Sequence, residues 1–238
     1  MEHLDVTLIG IDGSGKSTII SDLVDSFSKD YVVAHSGRPA YVSGPNIERK
    51  NIYKRSIKLI NKGHNFADSL NSRIGVAMAN ALDVLEWKRR HEGIIEEYNP
   101  KIIFAGRHRA IDSVVYSSYY LPFTNFISDK NKFGIIESLT GKVNSDLLFY
   151  LQLSPETAMA RIDKRTEKEK LTSDKPKGKH MHENLRDLTK LRNKFEKILD
   201  YYCSTRGEVI VVDVEKNGQK ESVSIIENKI RENLHKVL

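Results

Sequence analysis

The sequence predicts an α/β fold, a parallel sheet of about five strands with helices on both faces. Three observations carry it. An apolar run, a glycine-rich turn and an amphipathic run follow one another within residues 4–29. Three further apolar runs, KIIFAG (101–106), DLLFYLQL (146–153) and EVIVVD (208–213), are unbroken and of strand length, as strands covered on both faces are. Stretches of helical spacing separate them, and strands alternating with helices build a doubly wound sheet.

The first element is the strand at residues 4–9, and the helix of residues 16–29 follows it, with Ile19, Ile20, Leu23, Val24 and Phe27 on one face. Between them LIGIDGSGKST, Leu8–Thr18, matches G-x-x-x-x-G-K-[ST] at Gly10, Gly15, Lys16 and Ser17. A strand, a glycine loop and a helix in this order make a P-loop. The glycines let the backbone curl until successive N–H groups face phosphate oxygens. The fold class is therefore that of the P-loop NTPases, with Gly10, Asp12, Gly13, Ser14, Gly15, Lys16, Ser17 and Thr18 as the ATP phosphate site. Lys16 supplies a mobile positive charge for the β and γ phosphates, and the Ser17 hydroxyl is placed to ligate Mg²⁺.

YVVAH (31–35) is a second short strand. The Gly-, Pro- and Ser-rich SGRPAYVSGPN after it reads as a loop, at the carboxyl end of a strand where open parallel sheets bind ligands. Ile47–Asn61 and Phe66–Glu97 carry apolar residues at helical spacing, the second stretch long or broken near Trp87. After the strand at 146–153, Ser154 as N-cap, Pro155 at N1 and Glu156 in the first turn open a helix. Its continuation is polar and basic, with Pro176 and Gly178, and reads as a mobile lid at about 166–183. Leu185–Tyr202 and Ser222–Leu238 supply the last helices.

At 238 residues the chain suits one domain, 1–238, with an inserted lid. Cys203 is its only cysteine, which excludes an intrachain disulfide framework and points to a reducing, cytoplasmic setting. MEHLDVTLIG carries acids where a signal peptide carries lysines, and no apolar run has membrane-spanning length, so a soluble protein is expected. The net charge of +6 is concentrated: residues 161–180 alone hold eight Lys and Arg against four acids. That favours a local polyphosphate site over a broad nucleic-acid-binding face. The eight histidines show no zinc spacing, and a zinc site is not expected.

Phosphoryl transfer asks a protein for donors around developing charge and for an acceptor held in line. Arg107 and Arg109 lie just past the third strand, and Arg107, nearest the strand end, has the planar fork that suits phosphate oxygens. Arg161 and Arg165 share one helix face at the entrance to the basic segment, where a closing lid would lay an arginine on the transferring group. Asp12 sets a carboxylate inside the P-loop, suited to an acceptor hydroxyl or water or to buttressing the loop, and Arg38 is a further acceptor-phosphate candidate. Asp213 reads as the end of an outer strand rather than a Mg²⁺ ligand.

With these residues in hand, the sequence resembles the thymidylate kinase family of nucleoside monophosphate kinases. GIDGSGKST, RHRAIDSVVYSSYY and SDLLFYLQLSPETAMARIDKR carry the resemblance, with a fainter echo in the GRP at 37–39, and it spans most of residues 4–213. It implies ATP- and Mg²⁺-dependent phosphoryl transfer to a nucleoside monophosphate, dTMP to dTDP foremost, and possible homodimers. By match, Asp12 faces the acceptor sugar, Arg107 binds the acceptor phosphate region, and Arg161 and Arg165 serve the donor. Some members carry an arginine within the P-loop where this chain has Gly13, which leaves the transition-state arginine to the lid. Two departures leave the acceptor open. Gly106 replaces the family's Mg²⁺-organising aspartate, and Phe66, Arg73, Arg89 and Arg90 all compete for the base-reading positions. The alternatives are a kinase of this fold with another small acceptor and a nucleotide-binding regulatory protein; a guanine-type switch lacks its Asn-Lys-x-Asp signature, for NKFE at Asn193 ends in Glu.

Overall fold

The computed structural model describes residues 3–70, 72–141, 145–172 and 182–237. Among these residues one sheet has seven strands: β1 (Leu4–Ile9), β2 (Val33–His35), β3 (Ala40–Gly44), β4 (Ile47–Ile52), β5 (Ile102–Ala105), β6 (Leu147–Gln152) and β7 (Ile210–Asp213). Their spatial order is β4-β3-β2-β5-β1-β6-β7. The five strands read from the sequence are the parallel ones, in the register Val6↔Phe104 and Val6↔Leu147 around β1. Val6, Leu8, Phe104 and Phe149 have no solvent exposure, which explains why central strands need continuous apolar runs.

The two further strands correct the reading of residues 36–52. β3 pairs antiparallel with β2 and β4 antiparallel with β3, where a loop and the start of a helix are expected from composition. Tyr41, Val42 and Ser43 are good strand residues, and Pro45–Asn46 turns the chain between two strands. β4 forms the sheet edge with exposed Glu48, Arg49 and Lys50, charges that block further pairing. Ala34, Ala40, Val42, Ile52, Ile57 and Ile94 form a small second core that ties this hairpin to the helices beside it and so positions the Arg38 loop.

The helices are α1 (Lys16–Phe27), α2 (Lys54–Ser69), α3 (Arg73–Tyr98), α4 (Arg109–Tyr120), α5 (Asp129–Thr140), α6 (Pro155–Thr172), α7 (Leu185–Thr205) and α8 (Gly218–Val237), with a short 3-10 turn at Pro122–Phe126. Of the two alternatives for the stretch 66–97, the long helix holds: α3 runs unbroken through Trp87, and it starts where the Ser72 hydroxyl accepts the Gly75 N–H at 3.1 Å. Ser154 caps α6 as the sequence indicates, accepting from Thr157 N–H at 3.3 Å. The helix runs on to Thr172, so the first part of the expected lid is helical, and residues 173–181 of it lie outside the described residues. α1 packs with α8, while α4 packs with α3, α5 and α7. Asp213 ends edge strand β7 and accepts the N–H groups of Glu215 and Lys216, a turn-forming role. No helix among the described residues is long and apolar enough to cross a membrane.

Candidate active site

The P-loop leaves β1 at the carboxyl edge of the sheet, and its shape requires glycine at two points. Gly13 has φ +84°, and a Cβ there would stand 2.6 Å from the Ala158 carbonyl of α6; at Gly10 it would stand 2.8 Å from the Leu151 carbonyl. The loop is therefore packed backbone to backbone on its neighbours, and the arginine that the resemblance allows at position 13 has no room. α1 starts at Lys16 without a side-chain cap, which leaves its first N–H groups for an anion. Lys16 Nζ spans the loop, donating to the carbonyls of Gly10 at 2.7 Å and Ile11 at 3.0 Å. Ser17 and Thr18 are exposed beyond it, while the Ser14 side chain turns inward. An uncapped helix start, a glycine cradle, a lysine and an exposed hydroxyl fit a magnesium-bound triphosphate.

Asp12 stands at the centre of a hydrogen-bonded group. His182 Nε2 lies 2.5 Å from its carboxylate, Tyr116 donates to it at 3.4 Å, and the Tyr120 hydroxyl is 2.5 Å from His182 Nδ1. Burial works to raise the Asp12 carboxyl, but the His182 hydrogen bond and charge, helped by Lys16 and Arg107, hold it well below the usual carboxylate range. Asp112, whose carboxylate accepts the His108 N–H at 2.7 Å, is pushed up by burial to about 6 despite the pull of Arg107 and Lys16. His108 in turn caps α4, its Nδ1 accepting from Ile111, and burial holds its ring neutral.

A second group surrounds Asp83, a buried carboxylate on α3. Arg38 Nε approaches it at 3.2 Å, Arg90 Nη2 at 3.3 Å and Arg107 Nη1 at 3.7 Å. Three guanidinium groups thus share one carboxylate. Burial lowers Arg38 to about 10, still charged at neutral pH. A cavity of about 380 Å³ opens here between α3, α4 and α5, within the size range of small-molecule sites. Buried Asp83, Asp112 and Tyr116 line it together with Asn80 and Arg107, and Ala81, Leu85, Ile135 and Leu139 form an apolar wall open to solvent.

The charges of Arg107 and Arg38 reach Asp12 without a direct ion pair, and Arg161 Nη1 lies 3.9 Å from where a Cβ on Gly15 would stand. Arg165 donates instead to the buried Glu183 at 2.8 Å. The cavity lining does not include Phe66, Arg73 or Arg89. Phe66 is 66% exposed on α2, Arg73 lies over the Tyr119 ring, and Arg89 pairs with Glu86 on the exposed face of α3. Their apolar or cationic character makes all three plausible readers by type, but helix phase turns Arg89 away while its neighbour Arg90 points inward. Asp83, Asp112, Tyr116 and His182 go unmarked in the sequence; the one local signal is the seven-residue spacing of Asp83 and Arg90, which puts them on one helix face. At Gly106 a Cβ would meet only Ile20 Cδ1, at 3.5 Å, so the absent aspartate is a chemical difference and not a steric one.

No protein-family model and no curated protein matches the chain. Solved structures do. Deoxyadenosine kinase from M. mycoides with the products dCMP and a flexible dCDP superposes with a TM-score of 0.62 at 17% identity, over 95% of this chain and 98% of that one. The same enzyme with dCTP gives 0.60 at 18%, over 95% and 98%. With dATP it gives 0.51 at 18%, over 96% and 100%. The likeness shows the fold: this chain shares the P-loop α/β architecture of those kinases.

Proposed function

We propose that this chain is an ATP- and Mg²⁺-dependent kinase that phosphorylates a nucleoside monophosphate, with dTMP the first acceptor to test. The observation that carries this reading is the excess of positive charge around Asp83, where Arg38, Arg90 and Arg107 face a single carboxylate beside the P-loop. A phosphate on the acceptor answers that excess, and the arginine fork binds it through paired N–H donors. The apolar wall of the cavity suits a base, with Asn80 and Asp112 as its polar contacts.

In this reading the P-loop N–H groups and Lys16 hold the β and γ phosphates, and Ser17 is the magnesium ligand. Bound ATP supplies the phosphoryl group, and Mg²⁺ neutralises charge on its β and γ oxygens. Arg38 and Arg107 orient the acceptor phosphate so that one of its oxygens attacks the γ phosphorus as the bond to the β-bridging oxygen breaks. Arg161, beside Gly15, stabilises the charge on the donor side. Asp12, held by His182, faces the acceptor sugar. No general base is required, because the attacking phosphate oxygen is already ionised.

A nucleoside acceptor is the second reading, supported by the deoxyadenosine kinases that share the fold. It needs a carboxylate to take the hydroxyl proton, and Asp12 is already hydrogen-bonded to His182 while Asp83 is paired with arginines. Initial rates of ADP release with dTMP, the other monophosphates and the corresponding nucleosides, with Lys16→Ala as control, decide between them. Turnover with monophosphates alone supports the first reading; turnover with nucleosides alone replaces it with the second. ATP binding without turnover on any acceptor overturns both.

A further inference from the structure

At the opposite end of β1 from the P-loop, the fold brings together three side chains that the phosphoryl-transfer reading does not use. His3 and Asp5 are two residues apart at the start of the strand, and so share one face of the sheet. His91 reaches them from α3. His3 Nε2 lies 3.5 Å and His91 Nε2 3.4 Å from the same Asp5 oxygen, Oδ2. One ligand atom from each of the three lies within 4.8 Å of the others, the one such His, Cys, Asp or Glu group among the described residues.

These separations are long for good hydrogen bonds. They match instead the edge of a tetrahedron: ligand atoms about 2.0–2.1 Å from a zinc ion stand about 3.3–3.4 Å from one another. We propose that His3, Asp5 and His91 form a site for a divalent transition-metal ion of the zinc type, which clamps the start of β1 to α3.

Three features of the surroundings support a built site. Trp87 stacks on His91 with ring centroids 4.7 Å apart and planes 19° from parallel, fixing the direction of its Nε2. Asp146 accepts the Asp5 backbone N–H at 2.7 Å, which anchors the strand start and brings a second carboxylate to the cluster. The His91 ring is poorly served by protein groups, since its buried Nδ1 has no partner. Imidazole and carboxylate together select zinc or its neighbours over Mg²⁺, which prefers all-oxygen ligands. The site is thereby distinct from that of Ser17.

The test is titration of the EDTA-stripped full chain, without nucleotide, with Zn²⁺ and with Co²⁺ as a coloured substitute. One equivalent is expected to bind, the Co²⁺ form to show the intense visible absorption of four-coordination, and the thermal midpoint to rise by about 5–10 °C at a hundredfold excess of Zn²⁺ over Kd. His91→Gln and His3→Ala should each weaken binding at least tenfold, and Ser17→Ala should leave it unchanged. His3→Ala truncates a partly exposed side chain and serves if the His91 variant does not fold. Absence of binding, a six-coordinate Co²⁺ spectrum, or binding that persists in both histidine variants overturns the proposal.

Discussion

Asp12 and His182, 170 residues apart, meet at 2.5 Å between the P-loop carboxylate and imidazole Nε2. The segment that precedes α7 is thereby fastened to the phosphate loop. Removing the imidazole leaves burial as the largest influence on Asp12, with Lys16 and Arg107 still opposing it, so its carboxyl rises. In His182→Ala the acid limb of the kcat/KM–pH profile is expected to move upward, with acceptor KM raised roughly tenfold and ATP binding little changed. His182→Gln, which keeps an N–H donor, should recover part of the loss. An unmoved profile in both variants would show that the contact has no part in acceptor binding.

Gly13→Ala tests the packing of the P-loop on α6. The added methyl meets the Ala158 carbonyl at 2.6 Å in a backbone of φ +84°, so the loop must shift. A loss of about 1–3 kcal/mol in urea unfolding is expected, with ATP affinity reduced at least tenfold. A variant as stable and as tight-binding as the parent would mean that the loop rests elsewhere.

The arginine cluster makes an asymmetric prediction about stability. Arg90 is 1% exposed and forms an ion pair with Asp83. Asp83→Asn leaves a buried guanidinium uncompensated and should cost about 3–5 kcal/mol. Arg90→Met leaves Asp83 with Arg38 and Arg107 and should cost distinctly less. Equal losses for the two variants, read from urea midpoints, contradict this account.

Stability should fall in mild acid. Burial lowers His35 and His64 to about 4 and His108 to about 3, the last helped by Arg109 and Arg206. The unfolded chain takes up these protons near pH 6.5 while the folded chain does not, so stability is full above about 6.5 and is lost as pH falls toward 4. Asp112 acts in the opposite sense: raised to about 6, it keeps a proton that the unfolded chain gives up near 3.8, and its contribution is lost as pH rises through 6. Asp112→Asn is therefore expected to add about 1–3 kcal/mol at pH 7 and to steepen the decline between 6 and 4. Urea midpoints measured across pH 4–8 check both parts.

The local constraints were legible in the sequence. Gly10, Gly15, Lys16 and Ser17 specify the phosphate loop because backbone freedom, charge and hydroxyl are needed at fixed spacing, and the unbroken runs at 101–106 and 146–153 specify central strands because both their faces are covered. Ser154, Pro155 and Glu156 mark a helix start for equally local reasons. The hairpin at 40–52 was hidden because its strands owe their existence to the edge offered by β2, and Gly, Pro and Ser in the same stretch read alone as a loop. The charged clusters were hidden for a similar reason. Arg38, Asp83 and Arg107 come from a strand loop, a helix and another strand end, His182 reaches Asp12 from across the chain, and His3 and Asp5 find His91 only through the docking of α3. Hydrophobic period and turn chemistry act over a few residues and so can be read in line; charge pairing depends on which helix faces the folded core turns toward one another, and that is decided only when the layers pack.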